Sequence, residues 1–130
     1  MDYIDSEIVN LAIKDKLFHN DKLEVRKSSL QGYGVFTKED IEEGELLEEC
    51  HHIEVPDDVT VQRYMYNWPK GNYQVEKYVL SFGYGCIYNG AVLGEENVNW
   101  KTDIENDILV FHAIKDIKKE SELLLYYDYG

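Results

Sequence analysis

The stretch Glu122-Leu123-Leu124-Leu125-Tyr126-Tyr127-Asp128-Tyr129-Gly130, led in by the charged turn Ala113-Ile114-Lys115-Asp116-Ile117, decides how this chain is read. It is an apolar strand that ends in three tyrosines. On extended backbone Tyr127 and Tyr129 point to one face and Tyr126 to the other, so two phenols arrive side by side where the strand runs out. A buried tyrosine needs a partner for its hydroxyl, and a strand that only packs has little use for so many. Taken alone, the stretch is equally well a core strand with amphipathic aromatics at its mouth.

Working outward, 130 residues make one domain with room for a core but not for two. Eleven tyrosines and a 13% aromatic content exclude a disordered chain. The net charge of -13, from 26 acidic and 13 basic residues, argues against nucleic acid or an anionic membrane as a direct partner. It suits a basic, lysine-rich protein segment, although acidity that serves solubility alone would look the same. Cys50 and Cys86 form no CxxC pair, and no metal site is expected. His51 and His52 are adjacent on an expected strand, so their rings face opposite sides and cannot chelate one metal together; both read as surface or half-buried residues. The acidic N-terminus has no basic region followed by an apolar core, and no apolar run approaches the roughly 20 residues of a membrane span. The expectation is an intracellular protein with reduced thiols, cytoplasmic or, if its target is chromatin, nuclear.

Residues 4–18 carry Ile4, Ile8, Leu11, Ala12 and Phe18 near helical spacing, with Asp5 and Glu7 in the first turn, which predicts an N-terminal helix. Its exit would be His19-Asn20-Asp21. Short-strand signals follow: Leu23 to Lys27, Val35-Phe36 after the turn Gln31-Gly32-Tyr33-Gly34, and Leu46 to Val55 after Glu43-Gly44. Val61 to Trp68 is a short helix or an aromatic loop. Tyr78 to Tyr88 is apolar and punctuated by glycine, Gly90 to Asn97 is a loop, and Ile108 to Ile114 and Leu123 to Tyr127 are strands. Asp40-Ile41-Glu42-Glu43-Gly44-Glu45-Leu46-Leu47 echoes Asp116-Ile117-Lys118-Lys119-Glu120-Ser121-Glu122-Leu123. The second is one residue longer, so the echo reads as convergent turn chemistry.

Three segments, Gly32-Tyr33-Gly34-Val35-Phe36, Gly83-Tyr84-Gly85-Cys86-Ile87-Tyr88-Asn89 and the terminal tyrosine strand, are weak singly. In this order and spacing they resemble the SET-domain protein lysine methyltransferases, and most of all the compact bacterial and viral members without accessory zinc modules. The resemblance covers residues 22–130 and leaves 1–21 as a helical extension. It implies a mainly β fold of small curved sheets, with a C-terminal pseudoknot in which the last strand passes the asparagine-containing loop. It further implies S-adenosylmethionine on one side and a target lysine entering from the other. Carried over, Gly32, Tyr33 and Gly34 would approach the cofactor with bare backbone, and Tyr88, Asn89 and Gly90 would hold it. Tyr127 would be the catalytic tyrosine, while Tyr64, Tyr66 and Tyr129 would wall the lysine channel.

The chemistry suits these residue types. Methyl transfer from a sulfonium to an amine is a direct displacement that needs alignment more than a strong base. The lysine must arrive neutral although its reference pKa is about 10.4, and a desolvating channel favours that. Tyrosine faces attract the incoming ammonium. The chain departs from the family in four places. Gly90-Ala91 stands where the family has His-Ser. Asn97 stands in for an asparagine usually a few residues closer. Glu120 replaces the usual turn glycine, and no cysteine-rich segment follows the last strand. Matching Tyr-Asp-Tyr-Gly from the right would move the catalytic role from Tyr127 to Tyr129. Two functions remain open on the sequence: a methyltransferase acting on a basic protein, and a degenerate, non-catalytic interaction module. A channel lacking its C-terminal wall leads to the expectation of a homodimer.

Overall fold

The computed structural model describes residues 14–70 and 75–127. Leu23–Lys27 (β1) turns back into Tyr33–Thr37 (β2) as an antiparallel hairpin with Val25 opposite Val35. Gly32, at φ 46, takes the left-handed turn position that a Cβ disfavours. Leu46–Cys50 (β3) follows, and here the single run expected from Leu46 to Val55 divides. The chain leaves the strand at His51, and His52–Val55 (β4) joins a different sheet. The residues on both sides of the break are strand-forming; the cut is set by distant partners, since β3 pairs with Ile108–Ala113 (β9) and β4 with Lys77–Ser81 (β6).

The segment left open between helix and aromatic loop is a 3-10 turn at Gln62–Tyr64 followed by Tyr66–Trp68 (β5). Of the apolar run Tyr78 to Tyr88 only the start is strand; residues 82–87 are bends and turns that deliver Asn89–Gly90 (β7). Val98–Asp103 (β8) was not anticipated, yet Val98 and Trp100 are buried while Asn99 and Lys101 are exposed, the period of a strand. Glu122–Leu125 (β10) completes the list of strands.

The larger sheet has the order β1-β2-β10-β8-β9-β3 with β7 also on β10, and the smaller one is β4-β6-β5. Leu47, Leu109, Phe111, Leu123 and Leu125 are fully buried in the core. β10 lies antiparallel to β2 but parallel to β7 and β8, with Leu124 opposite Asn89 and Leu125 opposite both Gly90 and Val98. The last strand is thus gripped at both ends of the 91–97 loop, the crossing that the resemblance implies.

The two echoing turns pair with each other. Ile41 and Ile117, both buried, exchange backbone hydrogen bonds at 2.8 Å in each direction. Asp116 Oδ1 accepts from the Glu43 amide at 2.8 Å, and Asp40 Oδ1 from the Lys119 amide at 2.9 Å. Shared turn chemistry here makes a local, near-symmetric clasp. The expected N-terminal helix falls mostly outside the described residues; Lys14 to Phe18 are bend and irregular backbone, and His19 forms an isolated bridge with Glu48.

Candidate active site

β10 delivers Tyr127 two residues beyond its end. The hydroxyl donates to the Tyr88 carbonyl at 2.6 Å, and the ring lies against Gly90, where an added Cβ would come within 3.3 Å of it. Among the described residues, Tyr127 is the one that lines both of two clefts, of about 450 Å³ and 270 Å³. Gly32, Tyr33, Tyr88, Asn89 and Gly90 line the first, joined by Arg63 and Tyr64. Tyr66, Asn67, Lys70, Trp100 and Tyr126 line the second.

Asn89 is oriented by what its amide nitrogen can reach. Nδ2 donates to Glu122 Oε2 at 2.7 Å and lies 3.3 Å from the Gln31 and Tyr33 carbonyls. Its oxygen is thereby turned away from those acceptors and left to accept. Glu122 is itself fixed by the Ser28 hydroxyl at 2.8 Å. This changes the reason for Gly34. It does not line the cleft; a Cβ there would sit 2.1 Å from Glu122 Oε2 and 2.8 Å from Asn89 Nδ2. Gly34 makes room for the side chains that aim Asn89.

Tyr64 is placed differently from the expectation. It is exposed and lines the first cleft, because the 3-10 turn directs it there, and β5 carries Tyr66 to the second. Tyr66 is buried, donates its hydroxyl to the Gly85 carbonyl and meets Trp100 edge-on at 4.8 Å. Burial, and next the neighbouring Tyr127, hold its phenol well above the usual range. Burial, and next Glu48, do the same for Tyr88. Both stay protonated at neutral pH, so neither serves as a base. Tyr129 lies outside the described residues. His51 is exposed and His52 buried, the latter deeper than expected. Burial raises both thiols, Cys50 and Cys86, above their ordinary value, which keeps them unreactive.

One support, Glu48, escaped the sequence reading, and a second, Asn97, shows its role only in the structure. Glu48 is 1% exposed and accepts the Tyr88 hydroxyl at 2.9 Å, with the Tyr84 amide at 3.2 Å and His19 Nδ1 at 3.2 Å beside it. A register shift between Leu46 and Glu48 leaves Leu47 and Glu48 both buried, which strict alternation would forbid. Asn97 clamps β10: its Nδ2 donates to the Glu122 carbonyl at 3.0 Å and its Oδ1 accepts the Leu124 amide at 2.7 Å. In the second cleft the Lys70 ammonium lies 4.8 Å from the centre of the Trp100 ring and donates to the Trp100 carbonyl at 2.5 Å. That cleft therefore already seats an alkylammonium on an aromatic face.

A family model described as SET domain matches residues 32–130. A Schizosaccharomyces pombe protein, "Histone-lysine N-methyltransferase, H3 lysine-37 specific", is 29% identical over 113 residues, covering 81% of this chain and 72% of that one. The crystal structure of a Plasmodium falciparum protein named as a candidate histone methyltransferase superposes with a TM-score of 0.68 at 26% identity, covering 85% of this chain and 96% of that one.

Proposed function

The chain belongs to the SET-domain family, and on that premise we propose that it is a protein lysine N-methyltransferase that takes its methyl group from S-adenosylmethionine. The observation that carries this reading is Tyr127 standing as the shared wall of two clefts. The first has the volume of a small-molecule site, roughly 300–1,000 Å³, and offers the mixed lining a nucleoside needs: Tyr33, Tyr88 and Tyr127 beside the aimed amide of Asn89. The second is narrower, aromatic and already hospitable to an ammonium.

When bound, the cofactor supplies an electrophilic methyl on a positively charged sulfur. The protein's own part is placement. Asn89, Gly90 and the Gly32-Tyr33 backbone would hold the nucleoside end. Tyr66 and Trp100 wall the lysine's path, and both are buried, so water has little access to the reacting amine. The Tyr127 hydroxyl donates its proton to the Tyr88 carbonyl, which fixes the phenol at the wall between the two clefts. With Tyr66 and Tyr88 held protonated, the lysine gives its proton to water before transfer, and the rate rises with pH between 7 and 9.

The substrate we infer is a basic, lysine-containing protein segment, drawn by the charge of -13; a histone tail fits, and in that case the protein works in the nucleus. The alternative of a non-catalytic module rests on Gly90-Ala91. It loses force because the crossing is tied without His-Ser side chains, by the Ala91 amide on the Leu125 carbonyl at 2.9 Å and by Asn97. Labelled S-adenosylmethionine and a panel of basic proteins test the proposal. Wild type should transfer label to lysine, and Tyr127→Phe should lower kcat by about a hundredfold, the scale of one lost positioning hydrogen bond, while cofactor affinity stays within a few-fold. No transfer by wild type, or equal transfer by the variant, would overturn it.

A further inference from the structure

We propose that Lys70 is a resident competitor in the second cleft: its ammonium fills the seat that a substrate lysine needs, so each substrate must displace it. The inference rests on the reading of this cleft as the lysine's path. Among the described residues that line the cleft, Lys70 is the one cation. Its ammonium lies 4.8 Å from the centre of the Trp100 ring and donates to the Trp100 carbonyl at 2.5 Å and to Asn99 Oδ1. An aromatic face, a carbonyl and a side-chain amide oxygen are the groups that would receive any lysine ammonium there. The backbone holds the residue in place, because the Lys70 amide donates to Thr102 Oγ1 at 3.3 Å. Lys70 follows β5, whereas Asn99, Trp100 and Thr102 lie on β8, so these contacts bridge the two sheets.

The seat has room for one cation. Trp100 is 8% exposed, and Tyr66 already meets its ring edge-on at 4.8 Å. A second ammonium on the same face would stand beside the first, and like charges that close repel strongly where water is scarce. A cleft that must be vacated first binds with its affinity lowered by the fraction of time it stands vacant. Without the Lys70 charge, Glu96 is the one charged side chain left on the described lining, and it favours an incoming cation. The charge of -13 draws basic segments to the surface whatever their sequence; Lys70 raises the threshold for entry.

Two measurements test this, both with the basic segment that takes most label in the panel above. Steady-state kinetics compares wild type, Lys70→Gln and Lys70→Arg. Lys70→Gln should lower KM for the segment by about threefold or more, the scale of one exposed cation–π contact, and raise kcat/KM accordingly. Lys70→Arg keeps a cation on the indole face and should keep KM within about twofold of wild type. The second measurement uses magnetic resonance of wild type carrying isotope-labelled lysine. The Trp100 ring current should shift the Lys70 ε-methylene upfield, and saturating segment, with S-adenosylhomocysteine present, should return it to the position of the other lysines. If Lys70→Gln unfolds, this second measurement decides alone, because it needs only wild type. An unchanged or higher KM in Lys70→Gln would overturn the competitor role. So would an ε-methylene that is unshifted in the free protein or stays shifted at saturation. Failure of wild type to label any segment would instead overturn the methyltransferase reading, and this inference with it.

Discussion

Glu120 sits at φ 72, a left-handed conformation that costs a residue with a Cβ about 1 kcal/mol. Its carboxylate is largely exposed, and its bond to Arg26 is of the surface kind, which contributes little. Glu120→Gly should therefore raise the melting temperature by about 2 °C; a fall of that size in calorimetric scans would refute the strain account. Asn97→Ala removes two hydrogen bonds to the β10 backbone and should cost about 2 kcal/mol in urea denaturation. At this scale the sequence was informative wherever a residue type is chemically committed. Tyr127, Asn89 and the odd turn residue at Glu120 could all be named in advance. Glu48 could not, because a backbone irregularity rather than composition buries it. At Gly34 the neighbour was not legible either, since what fills the space beside it is Glu122, more than eighty residues away in the chain.

Among elements, the clasp between the two charged turns is the clearest case of local chemistry doing long-range work. Asp40→Ala and Asp116→Ala should each cost about 1 kcal/mol, and by similar amounts, because each removes one carboxylate-to-amide bond of the same kind. Unequal losses of more than twofold in denaturation midpoints would deny the symmetry. His52 joins the smaller sheet to the turn between β8 and β9. Its ring lies tilted against Trp68 at 4.2 Å and reaches Asp107 at 3.2 Å, while Nδ1 has no partner among the described residues. Burial lowers its pKa more than Asp107 raises it, so the folded protein holds a neutral imidazole. The unfolded chain then takes up the proton more readily as pH falls through about 6.5. Stability is full above that pH and declines below it; burial of His112 adds in the same direction. The melting temperature should drop between pH 7.5 and 5.5, and drop less in His52→Phe. Strands with clean alternation, such as β1 and β9, were readable. The break at His51 and the existence of β8 were not, because pairing partners chosen elsewhere decide where a strand-forming stretch is cut.

For the whole molecule, charge is the property that sequence fixes before any fold is known. If -13 draws in a basic substrate, kcat/KM should fall several-fold as salt rises from about 50 to 500 mM, with kcat nearly unchanged. A flat salt profile would remove electrostatics from the account. The overall architecture was legible only because three short segments recur in a fixed order; no periodicity announces a last strand inserted between second and eighth. That insertion has a consequence for how the protein is made. Among the described strands the opening hairpin pairs with the rest of its sheet through β10, so on the ribosome that pairing must wait until residues 122–125 emerge. A synthesis that stalls earlier releases a chain whose larger sheet lacks the strand that joins its two parts.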